Sequence, residues 1–334
     1  VIPSNHCSTG PSQSFHVNPL HQNGTIKPVA CYNGNSGSIS VNVSGGVSSY
    51  SYLWSGPDFS SNSKDISGLK AGTYKLKIID GNGCKDSASY EVAQPTSALN
   101  LVVDSKKDPT CYGNSNGEVN LLSSGGWSYY YSYSLSSTTN QNGKFSGLAK
   151  GTYTFTVSDD QGCVASVTTS LNQPDELEFS SAITNPRCNG YNTGVIEIAS
   201  IGGTSPYTYN FGDGYVTSNR KTDLLAGIYS VSVLDANGCE LTKSEEISQP
   251  SLLELSISNS SGDGQTVNCS GKRDTVWIAL SGGIGPYVIK FGDSTVNCTG
   301  TRYPLFGLDN GNYNIVTTDA NGCTASQSAV ISNL

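Results

Sequence analysis

Apolar and polar residues alternate along most of this chain in short runs, separated by turns rich in Gly, Asn and Asp. Ile39, Val41 and Val43 alternate with Ser40 and Asn42, the period of two that marks a half-buried strand. Gly45-Gly46 interrupt the run, and Tyr50, Tyr52 and Trp54 then alternate along a second strand. The same succession returns three times. Val119 and Leu121 precede Gly125-Gly126, Ile196 and Ile198 precede Gly202-Gly203, and Val276, Ile278 and Leu280 precede Gly282-Gly283. The aromatic strands that follow carry Tyr129, Tyr131 and Tyr133, then Tyr207, Tyr209 and Phe211, then Tyr287 and Phe291, an alternation that favours filling a sandwich core over a sugar-stacking platform.

Further landmarks recur in register. Leu69-Lys70-Ala71-Gly72-Thr73-Tyr74 returns as Leu148/Gly151/Tyr153, Leu224/Gly227/Tyr229 and Leu308/Gly311/Tyr313. A Tyr just after a corner, at the start of the penultimate strand, has the position of the tyrosine corner of Greek-key sandwiches. Asp80-Gly81-Asn82-Gly83, Asp159-Asp160-Gln161-Gly162, Asp235-Ala236-Asn237-Gly238 and Asp319-Ala320-Asn321-Gly322 each precede a Cys. Asp first and Gly last suit a type I turn ending in a left-handed Gly. One carboxylate per turn, or two in the second copy, is too few to ligate calcium. Gln94-Pro95, Gln173-Pro174 and Gln249-Pro250 close the first three copies, where Pro stops the last strand and stiffens a short joint.

A period of about 80 residues fits a small β-sandwich better than a solenoid coil. The expected fold class is therefore all-β, a tandem array of immunoglobulin-like β-sandwich modules. Residues 1–20 read as the tail of a preceding repeat, followed by modules at 21–95, 96–174, 175–250 and 251–334. The chain contains no Met and starts partway through a repeat, so it reads as a segment of a longer polypeptide.

Composition narrows the classes of function. Charged residues make up only 13% of the chain and the net charge is −8, so no basic stripe exists for nucleic acid. No stretch approaches the length of a membrane span. The three histidines, His6, His16 and His21, lie before or at the very start of the first complete repeat. Ser-His-Asp and Cys-His chemistry is thereby excluded from the repeats; no carboxylate pair recurs, and no enzyme activity or cofactor is expected.

Nine of the ten cysteines recur at fixed places without a CxxC spacing, and so read as disulfides in an oxidising compartment. Each copy opens with one (Cys31, Cys111, Cys188, Cys269) and closes with another (Cys84, Cys163, Cys239, Cys323). Pairing could run within a module, as Cys31–Cys84, or between sequence neighbours, as Cys84–Cys111. The third choice crosses the joints, as Cys31–Cys163, Cys111–Cys239 and Cys188–Cys323. In an immunoglobulin-like sandwich the opening and closing cysteines sit at opposite ends, about 17–27 Å apart. A disulfide needs Cα atoms within about 7 Å. Head-to-tail stacking brings those ends together between modules, which favours the crossing pattern, with within-module pairing still open. Cys298 has no counterpart in other copies and could pair with Cys269.

The assembled pattern is Cys-x-Gly-x-x-x-Gly, Gly-Gly, Pro-Tyr-x-Tyr, Leu-x-x-Gly-x-Tyr, Asp-x-x-Gly-Cys and Gln-Pro. It closely resembles the SprB repeat of very large surface proteins of Bacteroidota. The third copy is the best example: Cys188-Asn189-Gly190, Gly202-Gly203, Pro206-Tyr207-Thr208-Tyr209, Gly227-Ile228-Tyr229 and Asp235-Ala236-Asn237-Gly238-Cys239. Copies one and two lack Pro before the aromatic strand, and copy four lacks Gln-Pro. The resemblance implies a stalk segment of an extracellular, cell-surface adhesin of gliding bacteria, exported by type IX secretion. Its partners would be neighbouring repeats of the same polypeptide, the gliding or secretion machinery and surface polysaccharide. Ser87, Thr275 and Ser294 sit in tripeptides that resemble the O-glycosylation acceptor of this phylum. Two other readings are a carbohydrate-binding module, with Trp54, Trp127, Tyr129 and Tyr131 as stacking candidates, and a spacer in a large exported hydrolase.

Overall fold

The computed structural model describes residues 18–127, 130–258, 266–268, 276–306, 308–309 and 311–332. The described residues contain strands and no helix, arranged as paired sheets in a tandem array of immunoglobulin-like sandwiches. The chain divides into two compact units, Val1–Gln173 and Pro174–Leu334.

The first module of the first unit sets the pattern. Its strands are β1 (His21–Lys27), β2 (Gly37–Ser44), β3 (Ser51–Gly56), β4 (Phe59–Ser61), β5 (Ile66–Leu69), β6 (Gly72–Ile79) and β7 (Lys85–Val92). They form two antiparallel sheets, β1-β2-β5 and β4-β3-β6-β7. The short β4 pairs with β3 rather than with β5, so the sheets hold three and four strands. Alternation decides which side chains face inward: Ile39 and Val41 on β2 are buried, while Ser40 and Asn42 are exposed. Leu76 and Ile78 on β6 meet them from the other sheet, and Trp54 on β3 fills the middle of the core. Burying each such side chain contributes roughly 1.5–3 kcal/mol.

The second module of this unit repeats the same two sheets around Val119, Leu121, Phe145, Phe155 and Val157. The Phe145 and Phe155 rings lie 5.0 Å apart, a separation at which tilted rings attract beyond simple burial.

The second unit has two further cores of the same design. One gathers Ile196, Ile198, Tyr209, Val231 and Val233; the other gathers Ile278, Leu280, Ile289, Leu305 and Ile315. The last module carries one addition: Thr266–Asn268 pairs in parallel with the end of Thr324–Ser332.

Candidate functional site: the bridged joint

Each module's aspartate turn is a clamp between two loops. Asp80 is buried, and its Oδ1 accepts the N–H groups of Asn82 and Cys84 at 3.0 and 2.8 Å. Its Oδ2 reaches across to accept the N–H of Val47, the residue after Gly45-Gly46, at 2.8 Å. Asp159, Asp235 and Asp319 repeat all three bonds, with Oδ2 on Trp127, Thr204 and Ile284. The sequence led us to expect a local turn; the second carboxylate oxygen also pins the Gly-Gly loop.

At Asp80 the bonds favour the charged form. The Val47 N–H, followed by the turn's own N–H groups, holds the Asp80 carboxyl below its ordinary value against the opposing cost of burial. A lowered folded value contributes stability that is fully present above the unfolded value, near 3.9, and is lost as pH falls through the folded one. Thermal melts should therefore stay level from pH 7 to about pH 4 and fall below that. A steep loss already at pH 6 would contradict the clamp as the acid-sensitive element.

Two tyrosines tie each module's ends. The corner tyrosines donate to the carbonyl four residues back: Tyr74 to Lys70, Tyr153 to Ala149, Tyr229 to Leu225 and Tyr313 to Asp309, at 2.8–3.2 Å. A second set was not foreseen. Tyr50, Tyr131, Tyr207 and Tyr287 donate to the carbonyl of the first Gly of each Gly-Gly pair, at 2.6–2.8 Å. Its signal is an aromatic residue five or six positions after that glycine. Tyr74 is almost wholly buried, so Tyr74→Phe should cost about 1 kcal/mol in denaturant titrations, by orphaning the Lys70 carbonyl.

The joint in the first unit is built on these clamps. A disulfide joins Cys31, beyond β1, to Cys163, at the head of the second module's Val164–Leu171 strand, with Cα atoms 5.5 Å apart. Asp159 holds the N–H of Cys163 and also that of Trp127. Trp127 in turn donates its indole Nε1–H to the Val29 carbonyl of the first module at 3.1 Å. From within the first module, Gln94 Oε1 accepts the N–H of Asn33 at 2.9 Å, and the Val29 N–H bonds to the Ala93 carbonyl. Gln173 and Gln249 repeat the Gln94 bond on Gly113 and Gly190. The Gln of Gln-Pro thus anchors the end of each of these modules to its own first loop, a role the sequence reading gave wholly to Pro.

The second unit has the same kind of joint. Cys188 and Cys323 are bridged with Cα atoms 5.5 Å apart, and Asn321 donates its amide to the Arg187 carbonyl at 2.9 Å. A cavity of about 50 Å³ lies against the bridge, lined in part by Cys188, Tyr191, Leu252 and Cys323. That is room for a water or two, whereas ligand pockets run to roughly 300–1,000 Å³.

The remaining candidate residues are placed as follows. Trp54 is wholly buried, with its Nε1–H on the Ser63 carbonyl, so the stacking role is corrected: the alternation that singled it out marks a core position. Trp127 is half-buried and committed to the joint. Tyr131 is half-buried with its hydroxyl on Gly125, and Tyr129 lies outside the described residues. Ser87 and Ser294 are exposed on strands, while Thr275 and Cys269 lie outside the described residues. Cys298 is buried with a free thiol, 3.0 Å from the Gly300 carbonyl. Cys84 is half-buried, with its N–H on Asp80. Among the described residues no group of three His, Cys, Asp or Glu side chains is placed to hold a metal, and no helix is long and apolar enough to cross a membrane.

A family model described as the SprB repeat matches residues 23–59, 103–140 and 180–214. The chain carries SprB repeats. Each matched stretch runs from the first strand of a module, through its opening cysteine and Gly-Gly pair, toward the end of the aromatic strand or just past it. No curated protein sequence matches the chain. Among solved structures, immunoglobulin domains 1–5 of Sidekick-1 overlap it with 11% identity over 94% of this chain and 81% of that one, at a TM-score of 0.29. Three N-terminal domains of the bacteriophage RB49 outer capsid protein Hoc give 11% identity, 95% and 99% coverage and a TM-score of 0.29. Domains 1–6 of the surface layer protein SbsC give 12% identity, 92% and 54% coverage and a TM-score of 0.25. Overlaps this loose carry no argument about function.

Proposed function

We propose that this SprB-repeat segment is a stiff stalk in a very large bacterial cell-surface adhesin, a gliding-motility filament exported by type IX secretion. One observation carries the reading: in both units the chemistry is spent on fastening one module to the next. A disulfide, a cross-module hydrogen bond and an aspartate clamp converge on the joint. Disulfides of this kind persist in oxidising surroundings, which supports an extracellular place. In this reading the modules occupy 21–95, 96–174, 175–250 and 251–334. The partners are then neighbouring repeats, with the motility machinery and surface polysaccharide at the filament's ends.

The test is an antibody against this segment, applied to live cells of the source organism. Label that travels along the surface as cells move is the expected result. Stationary surface label would keep the stalk and discard the gliding role, and label found only in the medium would discard both.

A further inference from the structure

The two bridges change which parts of the chain can lengthen under load. Cys31 follows the first strand of the first unit, and Cys163 precedes the last strand of the second module. The covalent loop that they close therefore contains β2 to β7 and every strand of the second module except Val164–Leu171. In the second unit, the Cys188–Cys323 loop leaves outside only Glu178–Thr184 and Thr324–Ser332. The two loops do not overlap, so a continuous covalent path runs from the first residue to Cys31, across to Cys163, on to Cys188, across to Cys323 and out.

We infer that the cross-module disulfides act as a covalent bypass, so that tension on the chain cannot extend the hydrophobic cores of its modules. Unfolding a strand inside either loop yields no length, because the loop's ends are held at the 5.5 Å of a disulfide. Only strands outside the loops can be peeled out, and each peel stops at a cysteine. A bridge between Cys111 and Cys239 does not shorten the path, so the limit is independent of it. The chain extends by at most about 3.5 Å per residue. The unbridged polypeptide can therefore reach about 1,170 Å, while the bridged path of roughly 65 residues stops near 240 Å. The inference deepens the stalk reading by saying how a stalk of small modules would withstand pulling.

Single-molecule stretching of the whole chain between terminal tags tests this, first without reductant and then with dithiothreitol. The expected result is a limiting length near 240 Å that rises about fivefold on reduction. An oxidised chain that reaches the reduced length, or that shows the long unfolding steps of whole modules, overturns the inference. The limit is set by covalent bonds, so it holds whether or not the reduced modules stay folded. Its outcome is also separate from that of surface labelling. A chain that stays short under load but never reaches the cell surface would keep the bypass and discard the stalk.

Discussion

Asp159→Ala is expected to destabilise the second module by about 4 kcal/mol, far more than an average surface change. The carboxylate is buried and accepts three backbone N–H groups, from Gln161, Cys163 and Trp127. Bonds to a charged acceptor are worth about 1.5–3 kcal/mol each, and removing the acceptor leaves buried donors without partners. Two of those donors belong to the residues that make the joint, so the loss has a second consequence. Cys163 keeps its covalent partner, but its backbone is no longer held, and the Trp127 indole loses the support that aims it at Val29. Hydrogen exchange on the intact chain separates the effects. Protection of amides along Gly151–Ser158 and Val164–Leu171 should fall by roughly a thousandfold. Amides at Val29 and its neighbours should loosen too. The exposed neighbour Asp160, changed to Ala, should leave both regions as they were. Equal effects of the two substitutions would show that the clamp is incidental.

The sequence revealed local chemistry more readily than the long-range partners of the same residues. Tyr74 and its three counterparts could be assigned to a corner because their partner carbonyl is four residues away, inside the same motif. Asp80 was legible only in part. Its bonds to Asn82 and Cys84 are local, but Val47 lies 33 residues away and enters reach only once the sandwich closes. Gln94 was missed for the same reason, since its acceptor meets an N–H 61 residues earlier. Trp54 shows the converse. Alternation says that a residue faces one side of a sheet, and the choice of side rests on what the opposite sheet covers. With Leu76 and Ile78 packed in the same core, the side of Trp54 is the interior. The joint was partly legible because stacking geometry alone brings the ends of successive modules together. The Trp127 bond to Val29, 98 residues away, left no trace in either local sequence.

A matched pair of glycine substitutions should show that the Gly-Gly pair is fixed by contact and not by turn geometry alone. Gly202 and Gly238 both have left-handed backbones, at φ +70° and +82°. An L side chain in that region costs about 1–2 kcal/mol wherever it occurs. At Gly238 nothing lies within 4 Å of the added Cβ, so Gly238→Ala should cost only that amount. At Gly202 a Cβ would sit 1.8 Å from the carbonyl oxygen of Glu176. That oxygen belongs to the segment leading into Glu178–Thr184, where the neighbouring Asp175 carbonyl accepts the N–H of Gly203 at 2.9 Å. A backbone atom cannot rotate away as a side chain tip can, so the entry to the module must shift and the Gly203 bond must stretch. Overpacking of this kind adds about 1–3 kcal/mol, for a total of about 2–5 kcal/mol. Three of the counterparts of Gly202 meet the same obstacle at 1.9–2.0 Å, so Gly45, Gly125 and Gly282 should respond alike. Hydrogen exchange along Gly227–Leu234 in the intact chain reads the difference. Gly202→Ala should lower protection by about one and a half decades or more, while Gly238→Ala lowers it by about one. Similar losses at the two sites would mean that left-handed strain alone accounts for both, and that the close approach to Glu176 does not hold the module's entry in place.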